Sequence, residues 1–188
     1  MVVLMVRESS ARIRVGVMLL AIVCAALAGE AAPAFASGTN NARMDEYRVR
    51  AAFLLKFAKF VQWPRDGSLT FCVTGDEEFG FAITTTAGAA KGGNGRDVVV
   101  HNVSPKGDFS KCDMVYVGRD ATKYTADILK QIEGVPVLAI GESDAFLNEG
   151  GIVRVFVEDN KIRFQVNGST AEKRGLKISS QLLSLAAR

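Results

Sequence analysis

Hydrophobic and polar positions follow two periods along this chain, and each period marks a different kind of element. From about Met44 to Gln62 the apolar residues recur at helical spacing. Tyr47, Val49, Phe53, Leu54, Phe57, Ala58, Phe60 and Val61 are expected on one broad face, with Arg48, Lys56, Lys59 and Gln62 opposite. Pro64 forces Trp63 out of helical geometry and ends the element, leaving Trp63 as a plug over the edge of the core. Two residues break the scheme. Arg50 falls on the apolar face, where its charge must snorkel, meet a carboxylate or hold an anionic ligand. Leu55 falls between Arg48 and Lys59 on the charged face, which predicts an exposed apolar anchor for a partner.

Three later segments share one pattern. "LTFCVTGDEEFG", "DMVYVGRDAT" and "PVLAIGESDAF" each run apolar, then glycine, then polar capping residues, then the start of a helical period. Each is read as a strand, a tight turn and a helix N-terminus. The second leads into a helix with Ala121, Thr125, Ile128 and Ile132 inward and Gly134 at its C-terminal cap. Between the first two units, "KGGNGRDVVVHNV" is a glycine loop running into a further β-branched strand. The C-terminal part departs from this pattern, since "IVRVFVEDNKIRFQVN" predicts a hairpin around Asp159 and Asn160. Ser169 and Glu172 then form a capping box, Gly175 closes that turn, and "ISSQLLSLAA" makes a terminal helix. The fold class is α/β, a single domain with a mixed, mainly parallel sheet flanked by helices, a C-terminal β-hairpin and a terminal helix.

The first 36 residues belong to none of this. Arg7, Arg12 and Arg14 precede the uncharged run Val15–Ala28, and Ala34-Phe35-Ala36 supplies a small–x–small cleavage site. That is the pattern of a secretory signal peptide at 1–36, cut near Ala36–Ser37. The apolar run of 14 residues is shorter than the ~20 a spanning helix needs. Residues 37–43 are expected as a flexible leader and 44–188 as the folded domain. Export also reframes the cysteines. Cys24 leaves with the signal, and Cys72 and Cys112 in an oxidising compartment favour one disulfide over a free thiol or a metal site.

The net charge of +3 comes without a long basic block, so no nucleic-acid partner is expected. There is no G-x-S-x-G elbow, and His101, the only histidine, has no evident nucleophile to serve. "KGGNGRD" lacks the Lys-Ser/Thr of a phosphate loop, and no metal-ligand spacing is present. An enzyme, a metal and a cofactor are therefore not expected. In a parallel sheet the turns after strands converge on one edge, so Asp76, Arg119 and Glu142 gather there if their strands are neighbours. As ordinary caps they would need no ligand.

Five segments together resemble one family: "EYRVRAAFLLKFAKFVQWP", "FCVTGDEEFG", "KCDMVYVGRD", "PVLAIGESDAFLNEGGIVRVFVEDNKIRFQVN" and "GLKISSQLLSLA". In order along nearly the whole exported chain, they are similar to the YfiR-like periplasmic proteins. The resemblance implies a secreted α/β domain, often a homodimer, with no known catalysis. It implies a repressor of an inner-membrane diguanylate cyclase, with an outer-membrane lipoprotein able to sequester it. Cys72 and Cys112 match cysteines of the family's strands, and Arg50 stands where members tend to have a basic residue ahead of Ala-Ala-Phe. Two function classes follow: a regulator of membrane cyclic-di-GMP signalling, and a small-molecule-binding module using the sheet edge and Arg50 as an anion hook. Leu55, Arg174 and Lys177 are the expected contacts for a protein partner, with Arg174 and Lys177 flanking Gly175 in a turn that reaches an acidic surface. Arg50, Arg119 and Glu142 are the expected contacts for a ligand.

Overall fold

A helix, α1 (Ser37–Phe57), leads into a two-residue strand, β1 (Val61–Gln62). Strands and helices then alternate: β2 (Leu69–Thr74), α2 (Glu77–Ala89), β3 (Val98–Asn102) and β4 (Met114–Val117). A 3-10 turn (Arg119–Tyr124) continues into α3 (Thr125–Gln131), followed by β5 (Leu138–Gly141). The chain ends with the pair β6 (Val153–Glu158) and β7 (Lys161–Val166), then α4 (Gly168–Lys173), β8 (Lys177–Ile178) and α5 (Ser180–Leu185). This computed structural model describes residues 37–89 and 96–187, with side chains from residue 41. The expected signal segment at 1–36 and most of the glycine loop lie outside the described residues.

The large sheet has the order β3-β2-β4-β5-β6-β7, parallel throughout except for the antiparallel pair β6–β7. The expected α/β fold, hairpin and terminal helix are all present, in one compact unit from Asn40 onward. Asp159 and Asn160 turn the hairpin with φ of 49° and 56°, the left-handed pair that matches strand twist.

Alternate residues of each strand feed two cores. Phe71, Val73, Met114 and Tyr116 face α1 and α2, where Leu54, Ala58, Phe79 and Ile83 complete the cluster. Cys72, Val115, Val117 and Ala139 face the other way, onto Ile128, Leu129 and Ile132. With both faces covered, β4 and β5 are buried along their length, which is why they are continuous apolar runs. Cys72 of β2 and Cys112, just ahead of β4, form the expected disulfide, with Cα atoms 5.9 Å apart. It ties two neighbouring strands of the sheet.

The first helix departs from its expected face. Its buried stripe is Tyr47, Arg50, Ala51, Leu54, Leu55 and Ala58, while Val49 is 61% exposed. The phenylalanines suggested a different centre, but Phe53 and Phe60 are only partly buried at the margins. The small residues Ala51 and Ala58, both at 0% exposure, mark the true line of close approach. Leu55, expected on the charged face, sits inside that stripe at 4% exposure. The helix also begins earlier than expected, so the supposed leader at 37–43 has helical backbone, and it ends at Phe57 rather than Gln62. Two turn hydrogen bonds, Lys59 N–H to Lys56 O (3.0 Å) and Phe60 N–H to Phe57 O (2.9 Å), then swing the chain into β1. β1 pairs antiparallel with β8, a small second sheet that two-residue strands do not advertise in sequence. Trp63 is half-buried against the core, and its indole N–H donates to Ala58 O at 3.0 Å, as a plug would.

Two other expectations need correction. The segment after β5 forms consecutive turns rather than a helix. Phe146 wedges between Gly141 and Gly151, where an added Cβ would lie 2.3 and 2.2 Å from its ring, so the chain folds back over that ring. The N-cap of α4 is Asn167, whose side chain accepts from Thr170 N–H at 3.1 Å, while Ser169 only supports it.

Candidate functional site

β2 connects outward to β3 and β4 connects the opposite way to β5, so the order of the sheet reverses between β2 and β4. The turns after these two strands diverge and leave a crevice beyond their C-terminal ends. Glycine lets the turns abut at its base. A Cβ on Gly75, which has φ +71°, would lie 2.3 Å from Ala121 N, and one on Gly118 would lie 2.6 Å from Gly75 O. The result is a cleft of about 950 Å³ roofed on one side by α1. Asp76, Arg119 and Glu142 do line it together, and Arg50 lines it from α1. Asp76 also caps α2, accepting from Phe79 N–H at 2.9 Å.

Beneath the cleft is a buried polar network centred on Glu142. One carboxylate oxygen accepts from both Arg50 Nη1 and the Tyr116 hydroxyl, and the other accepts from Arg119 Nε at 3.2 Å. Arg50 also donates through Nη2 to Glu46 at 2.7 Å and through Nη1 to the Tyr116 oxygen at 3.4 Å. The Arg50 and Glu142 side chains are 7% and 13% exposed. Of the three fates open to Arg50, the structure takes the carboxylate. Burial disfavours its charge, but Tyr116 and Glu142 outweigh that and hold the guanidinium above its usual pKa. Burial first, and then the charge of Glu142, pushes the Tyr116 phenol well above its ordinary range. Arg50 is therefore no free anion hook, because two carboxylates already share it.

This arrangement belongs to a fold whose relatives can be matched directly. A model of the YfiR/HmsC-like family matches residues 47–187. The chain belongs to that YfiR/HmsC-like family. Membership carries a regulatory rather than a catalytic role, in periplasmic control of diguanylate cyclase signalling. The match begins at Tyr47 and takes in both sheets, the disulfide and all of the buried network except Glu46.

Within this family member the remaining expected contacts scatter. Leu55 is buried in the core between α1 and the sheet and cannot anchor a partner. Arg174 is equally withdrawn, at 8% exposure, because its Nη2 turns inward to donate to Gly150 O at 2.8 Å. Burial lowers its pKa, and it does not reach an acidic surface outside. Lys177 stays exposed on β8, and Arg119 is 83% exposed at the cleft mouth. His101 is exposed on β3, which lies at one edge of the sheet. Among the described residues no cluster of three or more potential metal ligands occurs, and no helix is long and apolar enough to cross a membrane.

Sequence reasoning missed Tyr116 and Glu46. Glu46 had a legible signal, since it stands four residues before Arg50 on one helix, at ion-pairing distance. Tyr116 is a polar-tipped aromatic within a wholly buried strand, which demands a partner for its hydroxyl.

Proposed function

We propose that this protein is exported, cleaved near Ala36–Ser37, and restrains an inner-membrane diguanylate cyclase by binding the cyclase's periplasmic part. The observation that carries this reading is the family match across 47–187. The disulfide supports it, since a Cys72–Cys112 bond is at home in an oxidising compartment. The reading includes a homodimer, and an outer-membrane lipoprotein that sequesters the restrainer. With Leu55 and Arg174 buried, the exposed Lys177 is the remaining candidate among the expected protein contacts. The test is genetic. Deleting the gene should raise cellular cyclic-di-GMP, and the wild-type gene should restore it. Unchanged cyclic-di-GMP in the deletion strain refutes the reading.

A further inference from the structure

The cleft between the turns after β2 and β4 has a definite sign. Six carboxylates line it against three guanidinium groups. Each arginine is already engaged: Arg43 with Glu78 at 3.1 Å, Arg50 with Glu46 and Glu142, and Arg119 with Glu142. Glu77 and Asp120 line the same space, are exposed, and make no ion pair among the described residues. In a doubly wound sheet the helix N-terminus at such a crevice commonly receives a phosphate. Here Asp76, Glu77 and Glu78 occupy the cap and first turn of α2, so a phosphate would meet three carboxylates.

A second observation lies at the base. Arg50 is more than nine-tenths buried and lines the cleft, yet its Nε–H has no acceptor among the described residues. A buried donor left unpaired costs about 1–3 kcal/mol, and an oxygen supplied by a ligand removes that cost. The oxygen must be uncharged, because a carboxylate arriving there would face Glu46 and Glu142.

We propose that the cleft binds a small organic cation with at least one ammonium group and a neutral oxygen acceptor, of the amino-amide or amino-alcohol kind. The ammonium sits among Glu77, Asp120 and the rim, and the oxygen accepts from Arg50 Nε. The volume of about 950 Å³ lies within the span usual for small-molecule sites. The proposal does not depend on the cyclase reading, because binding is measured on the purified protein alone.

Isothermal titration calorimetry with a matched pair of diamines tests it. L-lysinamide is cadaverine with a carboxamide added, so the difference between them isolates the oxygen. L-lysinamide should bind about tenfold more tightly than cadaverine. L-glutamate and GMP should not bind, and added salt should weaken the amines. The double variant Glu77→Gln, Asp120→Asn should lose at least about tenfold in affinity for L-lysinamide. Its melting temperature without ligand should stay unchanged, since both side chains are exposed and unpaired. Failure of both amines at millimolar concentration, tighter binding of glutamate or GMP, or undiminished binding by the variant overturns the site. Equal binding of the two diamines overturns the role given to Arg50 Nε.

Discussion

Replacing Glu142 by alanine should be among the most destabilising changes available outside the apolar core. The magnitude follows from its three donors. The Arg119 contact is exposed on the arginine side and contributes under about 1 kcal/mol. The Tyr116 hydroxyl, fully buried, loses its acceptor, at about 1–3 kcal/mol. Arg50 loses one of two carboxylates. A complete break of a buried pair costs about 3–5 kcal/mol, and the surviving Glu46, 54% exposed, retains roughly half of that. Sharing of one oxygen by Arg50 and Tyr116 means these terms overlap, so about 3–4 kcal/mol is expected in total. Urea unfolding with the disulfide intact measures it. For a slope of about 2 kcal/mol/M, the midpoint should fall by roughly 1.5–2 M with the slope unchanged. Glu142→Gln, which keeps an acceptor oxygen, should lose about half as much. Combining Arg50→Met with Glu142→Leu should cost clearly less than the sum of the two single changes. A loss below about 1 kcal/mol for Glu142→Ala would mean that Arg50 finds water or another acceptor, and would refute the buried network as a structural element.

Two further predictions concern the disulfide and the tyrosine. Cys72 and Cys112 are 40 positions apart, and by the chain-entropy estimate reducing their bond should cost about 4 kcal/mol, seen as a lower melting temperature with reductant. No change on reduction, with both thiols shown to be free, would refute it. Because the native Tyr116 phenol titrates well above its unfolded value of 10.0, the native state holds this proton longer than the unfolded chain. Stability should therefore fall as pH rises past about 10, and Tyr116→Phe should remove that part of the loss while abolishing the last tyrosine to ionise in an ultraviolet titration.

The parts of the fold legible in sequence were those where one local rule acted alone. Gly75 after β2 and Gly118 after β4 stand where the turns need glycine, and the hairpin is marked by Asp159-Asn160. The disulfide followed from cysteine number and compartment. The misread parts were those where tertiary packing chose between local options. The face of α1 was set by how closely Ala51 and Ala58 allow the helix to approach the sheet, and that distance outweighed the larger area of its phenylalanines. The segment after β5 carries capping residues for a helix, but Phe146 gains more by filling the space over two glycines. β1 and β8 are too short for any period to register, and they pair only because α1 stops three residues before β1.

The candidate site shows the same division in electrostatic form. Its location was legible, because the end of a parallel strand is a position in the chain as much as in space. Its sign was not. Arg50 stood out as a cation on an apolar face, and taken alone it pointed to an anionic ligand. Its partner Glu142 is 92 residues away and joins it only through the alignment of β4 beside β5. Once that pairing forms, the charge of Arg50 is spent, and the charge of the cleft is whatever remains unpaired. What remains is Glu77 and Asp120, two residues that look like ordinary members of a helix cap and a turn. The charge of a site is thus a property of the residues its network leaves over, and a network assembled from distant strands conceals that remainder from any reading of neighbours along the chain.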